Sequence, residues 1–137
     1  MVMTTTLRDE IEEWLPELIE TRRDLVDKKP DLVQRFVDAS IVGWYTYLYG
    51  DNAAGNAMIK KLNPEMTDEL IAYSVAKMKE YGIVDSGDAL KLGIGAMTDA
   101  RGQPFDTQMR DAGVFQPNVD FKRAYDLRFV NKGVGKA

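Results

Sequence analysis

Two short segments of the chain have residue types and spacings that resemble loops for binding an anion or a metal ion. The first, Gly93-Ile94-Gly95-Ala96-Met97-Thr98, resembles a glycine loop at the start of a helix, where bare backbone amides and the helix dipole bind an anion. It lacks the third glycine of a dinucleotide-binding loop and the lysine of a phosphate-binding loop. We therefore interpret it as a tight turn with Thr98 as the next N-cap, and keep a weaker anion site as the alternative.

The second segment, Asp85-Ser86-Gly87-Asp88, has the composition of a turn and a superficial likeness to a calcium loop. An EF-hand loop closes with a bidentate glutamate at its twelfth position, and that position is Ala96 here. We therefore expect no metal site. Polar side chains in a turn can still contact a small ligand, so Asp85 and Ser86 are candidate ligand-binding residues.

Aromatic residues cluster before these segments, and they have two interpretations. Trp44, Tyr45, Tyr47 and Tyr49 would form a wall for a planar ligand such as a pyrimidine if they lined a cleft. Aromatic residues at helical spacing are otherwise typical of a core or an interface. Tyr45 and Tyr49 join Asp85 and Ser86 as the candidate ligand contacts, because they lie near a predicted helix end.

Composition excludes several classes of function. The chain has 137 residues, no histidine, no cysteine and a formal net charge of −4. Without histidine there is no Ser-His-Asp or Cys-His triad and no His-ligated metal. An acidic chain does not suit nucleic acid, which requires a basic surface. We expect no enzyme, no cofactor, no nucleic-acid partner and no membrane insertion, since the longest uncharged run is shorter than the roughly 20 apolar residues of a membrane span.

The periodicity predicts a mostly α fold. An amphipathic helix is expected over residues 7 to 20, followed by helices over 30–50, 51–62 and 67–81, and one from Thr98 to just before Gly113. A short helical turn should begin at Asp120, and Leu127 to Val130 is extended, with a short C-terminal strand as an option. The prediction is a single-domain bundle of about five to six helices, built from 1–20 as an added helix and 21–137 as the main segment.

Apolar positions within two of these helices suggest how the bundle packs. The last two turns of the 30–50 helix are apolar on nearly every side, which requires contacts all round. The first helix or another chain must supply them, so self-association is expected. The core stripes are predicted at Leu32, Val33, Phe36, Val37, Ile41, Trp44, Tyr45 and Leu48 in the 30–50 helix, and at Leu70, Ile71, Val75 and Met78 in the 67–81 helix.

An ordered series of motifs resembles a known family. The motifs are Tyr49-Gly50-Asp51-Asn52, Asn63-Pro64-Glu65-Met66, Gly82-Ile83-Val84-Asp85-Ser86-Gly87, Met97-Thr98-Asp99-Ala100-Arg101 and Phe129-Val130-Asn131-Lys132-Gly133. With the residues between them, they resemble the carboxyl-terminal part of periplasmic solute-binding proteins of ABC importers. The branch is the one that handles nitrate, sulfonates, taurine and thiamine-pyrimidine precursors.

The resemblance implies capture of a small organic or anionic nutrient, with an ABC permease as partner. Three departures limit it: residues 1 to 20 are unlike the family, Gly102 replaces an aromatic residue, and Pro104 enters a helix. The strands that complete the family's ligand cleft are also absent. The alternative is a natural or designed helical assembly module without a ligand. A third option, the fungal pyrimidine synthases of this fold, uses a histidine and vitamin B6 and is disfavoured here.

The start of the chain suggests a compartment. No apolar signal-peptide region follows Met1, so the sequence as written predicts a cytoplasmic chain. If it is a fragment of an exported receptor, the expected compartment is the periplasm.

Overall fold

The structure, a computed structural model, describes residues 19–116 and 118–136. Within these ranges the chain forms helices and 3-10 turns and no strand, which confirms the mostly α prediction. The helices are α1 (Arg23–Lys28), α2 (Pro30–Tyr49), α3 (Ala53–Leu62), α4 (Asp68–Tyr81), α5 (Ala89–Leu92) and α6 (Asp99–Asp111), followed by 3-10 turns at Phe121–Arg123 and Leu127–Phe129.

Local signals explain most of the helix boundaries. Thr67 caps α4, its hydroxyl accepting the Leu70 N–H at 3.2 Å. Gly82 ends the same helix in the left-handed region at φ 57°, which glycine adopts without steric cost. The helix predicted over 51–62 begins two residues later, at Ala53: Asn52 is its N-cap, and the Asp51 carboxylate accepts the Ala53 N–H at 2.9 Å from just outside the helix.

The extended conformation predicted for Leu127 to Val130 is wrong, because Leu127–Phe129 is a 3-10 turn, and the optional C-terminal strand does not form there. The Asp126 carboxylate accepts the Arg128 N–H at 3.0 Å, which closes a turn in place of an extended backbone. The turn buries Phe129. The Phe129 carbonyl accepts a hydrogen bond from Gln34 Nε2 at 3.1 Å, so this backbone segment is held by a side chain of α2 and needs no strand partner.

The described residues fall into two compact units. The first contains residues 19–37 and 97–130 apart from 117, and buries Val26, Val37 and Phe129. The second contains residues 38–96 and 131–136, and its buried apolar side chains are Ile41, Leu48, Ile71 and Ile94.

The predicted core stripes are confirmed in part. Val37, Ile41, Leu48 and Ile71 are buried, whereas Leu32, Phe36 and Leu70 are exposed and were wrongly placed in the core. Val33, Trp44, Tyr45, Val75 and Met78 are half-buried. The stripes overestimated the core because each was wider than the surface that the neighbouring helices cover.

The predicted N-terminal helix lies almost entirely outside the described residues. Its last two positions, Ile19 and Glu20, are described and are not helical. No helix in the described part of the chain is long and apolar enough to cross a lipid bilayer.

Candidate functional site

Two of the four predicted ligand contacts bind each other. The Tyr49 hydroxyl, at the end of α2, donates a hydrogen bond to Asp85 Oδ2 in the turn after α4. The pKa of Tyr49 is raised above its ordinary value. The largest cause is this hydrogen bond to a carboxylate, and desolvation and the Asp85 charge raise the pKa further. Lys79 Nζ lies 5.1 Å from the centroid of the Tyr49 ring, within cation–π range.

The other two candidates have separate surroundings. Tyr45 is half-buried, and its hydroxyl oxygen accepts the Ile94 N–H at 3.2 Å. A Cβ placed on Gly135 would lie 2.7 Å from Tyr45 Cδ2, so the Tyr45 ring packs directly on the backbone there. Ser86 is exposed, and its Cβ lies 2.8 Å from where a Cβ would stand if Gly82 were replaced by a larger residue. The polar groups of Tyr45, Tyr49 and Asp85 are therefore engaged in holding their own unit together.

The glycine segment before α6 is a closed turn. The Ala96 N–H donates to the Gly93 carbonyl at 3.2 Å, and the Ile94 N–H is taken by Tyr45. Ile94 is buried, and Gly95 faces the Ile41 side chain. Two amides that an anion would need already have partners, which favours the tight-turn interpretation of this segment over an anion site.

Lys136 holds the chain end against this turn. Its ammonium donates to the carbonyls of Leu90 at 3.1 Å and Lys91 at 2.8 Å. These carbonyls lie in the last turn of α5, where backbone acceptors have no partner within the helix. Lys136 therefore acts as a C-terminal cap for α5 inside the second unit.

An open groove lies between the second-unit part of α2, α3 and α4. It has a volume of about 530 Å³ and is lined by Ser40, Gly43, Trp44 and Tyr47 from α2, Gly55, Met58 and Ile59 from α3, and Met78 from α4. The Trp44 and Tyr47 rings pack edge to face, with centroids 6.3 Å apart. A Cβ on Gly55 would lie 3.1 Å from the Tyr47 ring, so the glycine lets the ring lie against α3.

Sequence reasoning missed Gly43, which is one of the residues that line the groove. Apart from the neighbouring backbone of α2, no atom of the described residues lies within 4 Å of where a Cβ on Gly43 would stand, so crowding does not require a glycine there. A glycine inside a helix costs roughly 1 kcal/mol relative to alanine and usually has a packing or functional reason. That cost was the signal in the sequence.

A second, more polar cleft lies between the start of α3 and α4. Asn52 Nδ2 donates to the Tyr47 carbonyl at 3.1 Å, and Asn56 Nδ2 donates to Asn52 Oδ1, also at 3.1 Å. Because a carbonyl can only accept, this chain of bonds fixes both amide orientations. Asn56 Oδ1 is left buried without a hydrogen-bond partner. Being closed to solvent, that oxygen is also closed to a ligand in the cleft.

In the first unit, charged side chains donate hydrogen bonds to backbone carbonyls. Arg110 Nε donates to the buried Asp106 carboxylate at 2.7 Å, and the same guanidinium donates to the Gln116 and Val119 carbonyls. The hydrogen bond to Asp106 raises the pKa of Arg110. No cluster of three or more potential metal ligands occurs among the residues that the structure describes.

Comparison with known proteins gives no relative. The chain matches no protein-family model, no curated protein and no solved structure.

Proposed function

We propose that this chain is a helical segment related to the carboxyl-terminal part of solute-binding proteins of ABC importers, and that it works by associating with a second copy of itself. The observation that carries the proposal is the uncovered apolar surface of the second unit. Nine large hydrophobic side chains are exposed there against four that are buried. An excess of exposed over buried apolar side chains favours their burial against another chain, because removing apolar surface from water is favourable.

The inherited role would be capture of a small organic or anionic nutrient for an ABC permease, with a ligand cleft that is incomplete in one chain. The support is the resemblance carried by the ordered motifs from Tyr49 to Gly133. A fluorescence titration of Trp44 with a sulfonate, nitrate and a pyrimidine tests this role, in a Trp14→Phe chain so that Trp44 is the single tryptophan. A saturable change with one of them supports ligand capture, and no change with any contradicts it.

The second candidate function is a helical assembly module with no ligand. It is favoured by the internal use of the Tyr45 and Tyr49 hydroxyls, which bind Ile94 and Asp85. A chain that associates with itself but responds to none of the three ligand classes supports this alternative. We propose no catalytic role for either function.

A further inference from the structure

Residues 131–136 return to the second unit after a long segment that belongs to the first. The first unit takes residues 97–130, whereas 131–136 belong to the same compact unit as 38–96. Within this returning segment the Lys136 N–H donates to the Gly133 carbonyl at 3.2 Å, which closes a tight turn. We call residues 133–136 the strap.

The strap lies against the ring and the hydroxyl of Tyr45. A Cβ on Gly135 would stand 2.7 Å from Tyr45 Cδ2, so the ring leaves no room for a side chain there. Beside Gly93, two groups meet at one point: the position of a Cβ on Gly93 lies 3.6 Å from the Tyr45 hydroxyl oxygen and 3.7 Å from the Lys136 methylenes. The strap therefore covers the surroundings of the Tyr45 hydroxyl.

The helix that the strap contacts is too short to be stable by itself. Helix α5 has four residues, and an isolated helix of that length does not form in water. Two contacts from outside hold α5 and the turn after it. The Tyr45 oxygen accepts the N–H of the buried Ile94 at 3.2 Å, and the Lys136 ammonium donates to the last two carbonyls of the turns of α5 that it reaches, those of Leu90 and Lys91.

The strap itself is an exposed element. Gly133, Gly135 and Lys136 are exposed, and both glycines have left-handed backbone, with φ of 65° and 72°. Local opening in a folded protein starts in segments with little buried apolar surface and exposed hydrogen bonds. We therefore expect the strap to open at a lower free energy than the buried side of α2, where Leu48 is 2% exposed.

We propose that the strap is a conformational gate of the second unit. Closed, it holds α5 and the 93–95 turn on Tyr45. Released, it gives outside molecules access to the Tyr45 hydroxyl while the rest of the unit stays folded. The inference concerns one chain and does not depend on self-association.

The test is amide hydrogen exchange by NMR on the full chain, at one pH and one protein concentration. Lys136→Met removes the ammonium but keeps an unbranched apolar stem, and Gly135→Ala places a Cβ against the aromatic ring. Each should speed the exchange of the Gly93 and Ile94 amides at least about 3-fold, because a net hydrogen bond or a close packing contact is lost. The amide of Leu48 should exchange as in the unaltered chain.

Each variant has a matched control. Gly133→Ala shares the left-handed backbone of Gly135→Ala, but no atom of the described residues lies within 4 Å of its Cβ position. It should speed the exchange of Ile94 less than Gly135→Ala does. Lys91→Met removes an ammonium from α5 and leaves the Lys91 carbonyl that accepts from Lys136. It should leave the exchange of Ile94 unchanged.

Three results would overturn the inference. The first is unchanged exchange of Ile94 in both Lys136→Met and Gly135→Ala. The second is an equal acceleration of Ile94 and Leu48, because the strap would then open only with the whole unit. The third is an equal effect of Gly133→Ala and Gly135→Ala, which would assign the change to backbone strain and not to the Tyr45 ring. The expected pattern supports the gate whether the chain is a monomer or a dimer.

Discussion

The two units differ in what holds them and in what they leave uncovered. In the first, long charged side chains bind backbone carbonyls: Arg23 donates to the Arg123 carbonyl at 2.8 Å, and Arg110 holds the segment after α6. In the second, Lys136 is the charged side chain that the structure shows on backbone carbonyls, and an aromatic-lined groove lies open beside α2. Among the described residues, the second unit exposes nine large hydrophobic side chains and the first exposes four, so the second has more apolar surface to offer a partner.

The largest change in the free energy of unfolding should come from a substitution on the buried face of α2 in the second unit. Leu48 is 2% exposed, so Leu48→Ala should lower the free energy of unfolding by about 2–5 kcal/mol through lost burial and a residual cavity. Urea unfolding at one fixed protein concentration measures it. The matched control is Leu90→Ala, at 71% exposure, with an expected change within about 0.5 kcal/mol. Equal effects of the two would remove the distinction between core and surface.

Removing a charged hydrogen-bond donor from the first unit should lower the free energy of unfolding by a smaller amount. Arg110→Ala leaves the Asp106 carboxylate buried without its cation and frees two carbonyls. We expect a loss of about 1–3 kcal/mol in unfolding free energy. Arg101→Ala, an exposed arginine of the same helix, is the control and should change little. A loss no greater than that of the control would mean that charge does not hold this unit.

Replacing the exposed glycine of α2 should raise the free energy of unfolding. Gly43→Ala should raise the unfolding free energy by about 0.5–1 kcal/mol, because alanine favours the helix and its Cβ meets no atom within 4 Å. The measurement is made on dilute protein, where association contributes least. A loss would show that the space at Gly43 is filled within one chain.

The smallest effect is a dependence on alkaline pH in the first unit. The Tyr125 hydroxyl donates to Asp99, which raises the pKa of Tyr125 from 10.0 to about 12. Because the folded pKa is the higher one, the contribution of this bond is full below pH 10 and is lost as pH rises towards 12. Stability should fall less in Tyr125→Phe than in the unaltered chain over that interval. If the free energy of unfolding falls equally with pH in Tyr125→Phe and in the unaltered chain, the hydrogen bond from Tyr125 to Asp99 does not contribute to stability.

The sequence predicted the helices well where local chemistry sets their ends. Pro30, Thr67, Gly82 and Thr98 each mark a boundary that the structure has. It failed at Leu127–Phe129, where the Asp126 side chain closes a turn within a segment that only looked extended.

The candidate site was only partly predictable. Tyr49 and Asp85 do meet, but they are 36 residues apart, and no local pattern reports such a contact. The groove was also hidden, because a glycine within α2 marks an unusual position but does not report that Gly55 and Met78 lie beside it. The apolar character of the end of α2 was readable in advance, and with it the expectation that α2 needs contacts on more than one side.

Self-association is best tested by the solution mass of the unaltered chain, measured by light scattering behind a sizing column. We predict twice the 15.4 kDa of one chain, falling towards that of one chain on dilution. A mass of 15.4 kDa at every concentration would contradict it. The open groove would then be the surface of a protein that needs no second copy.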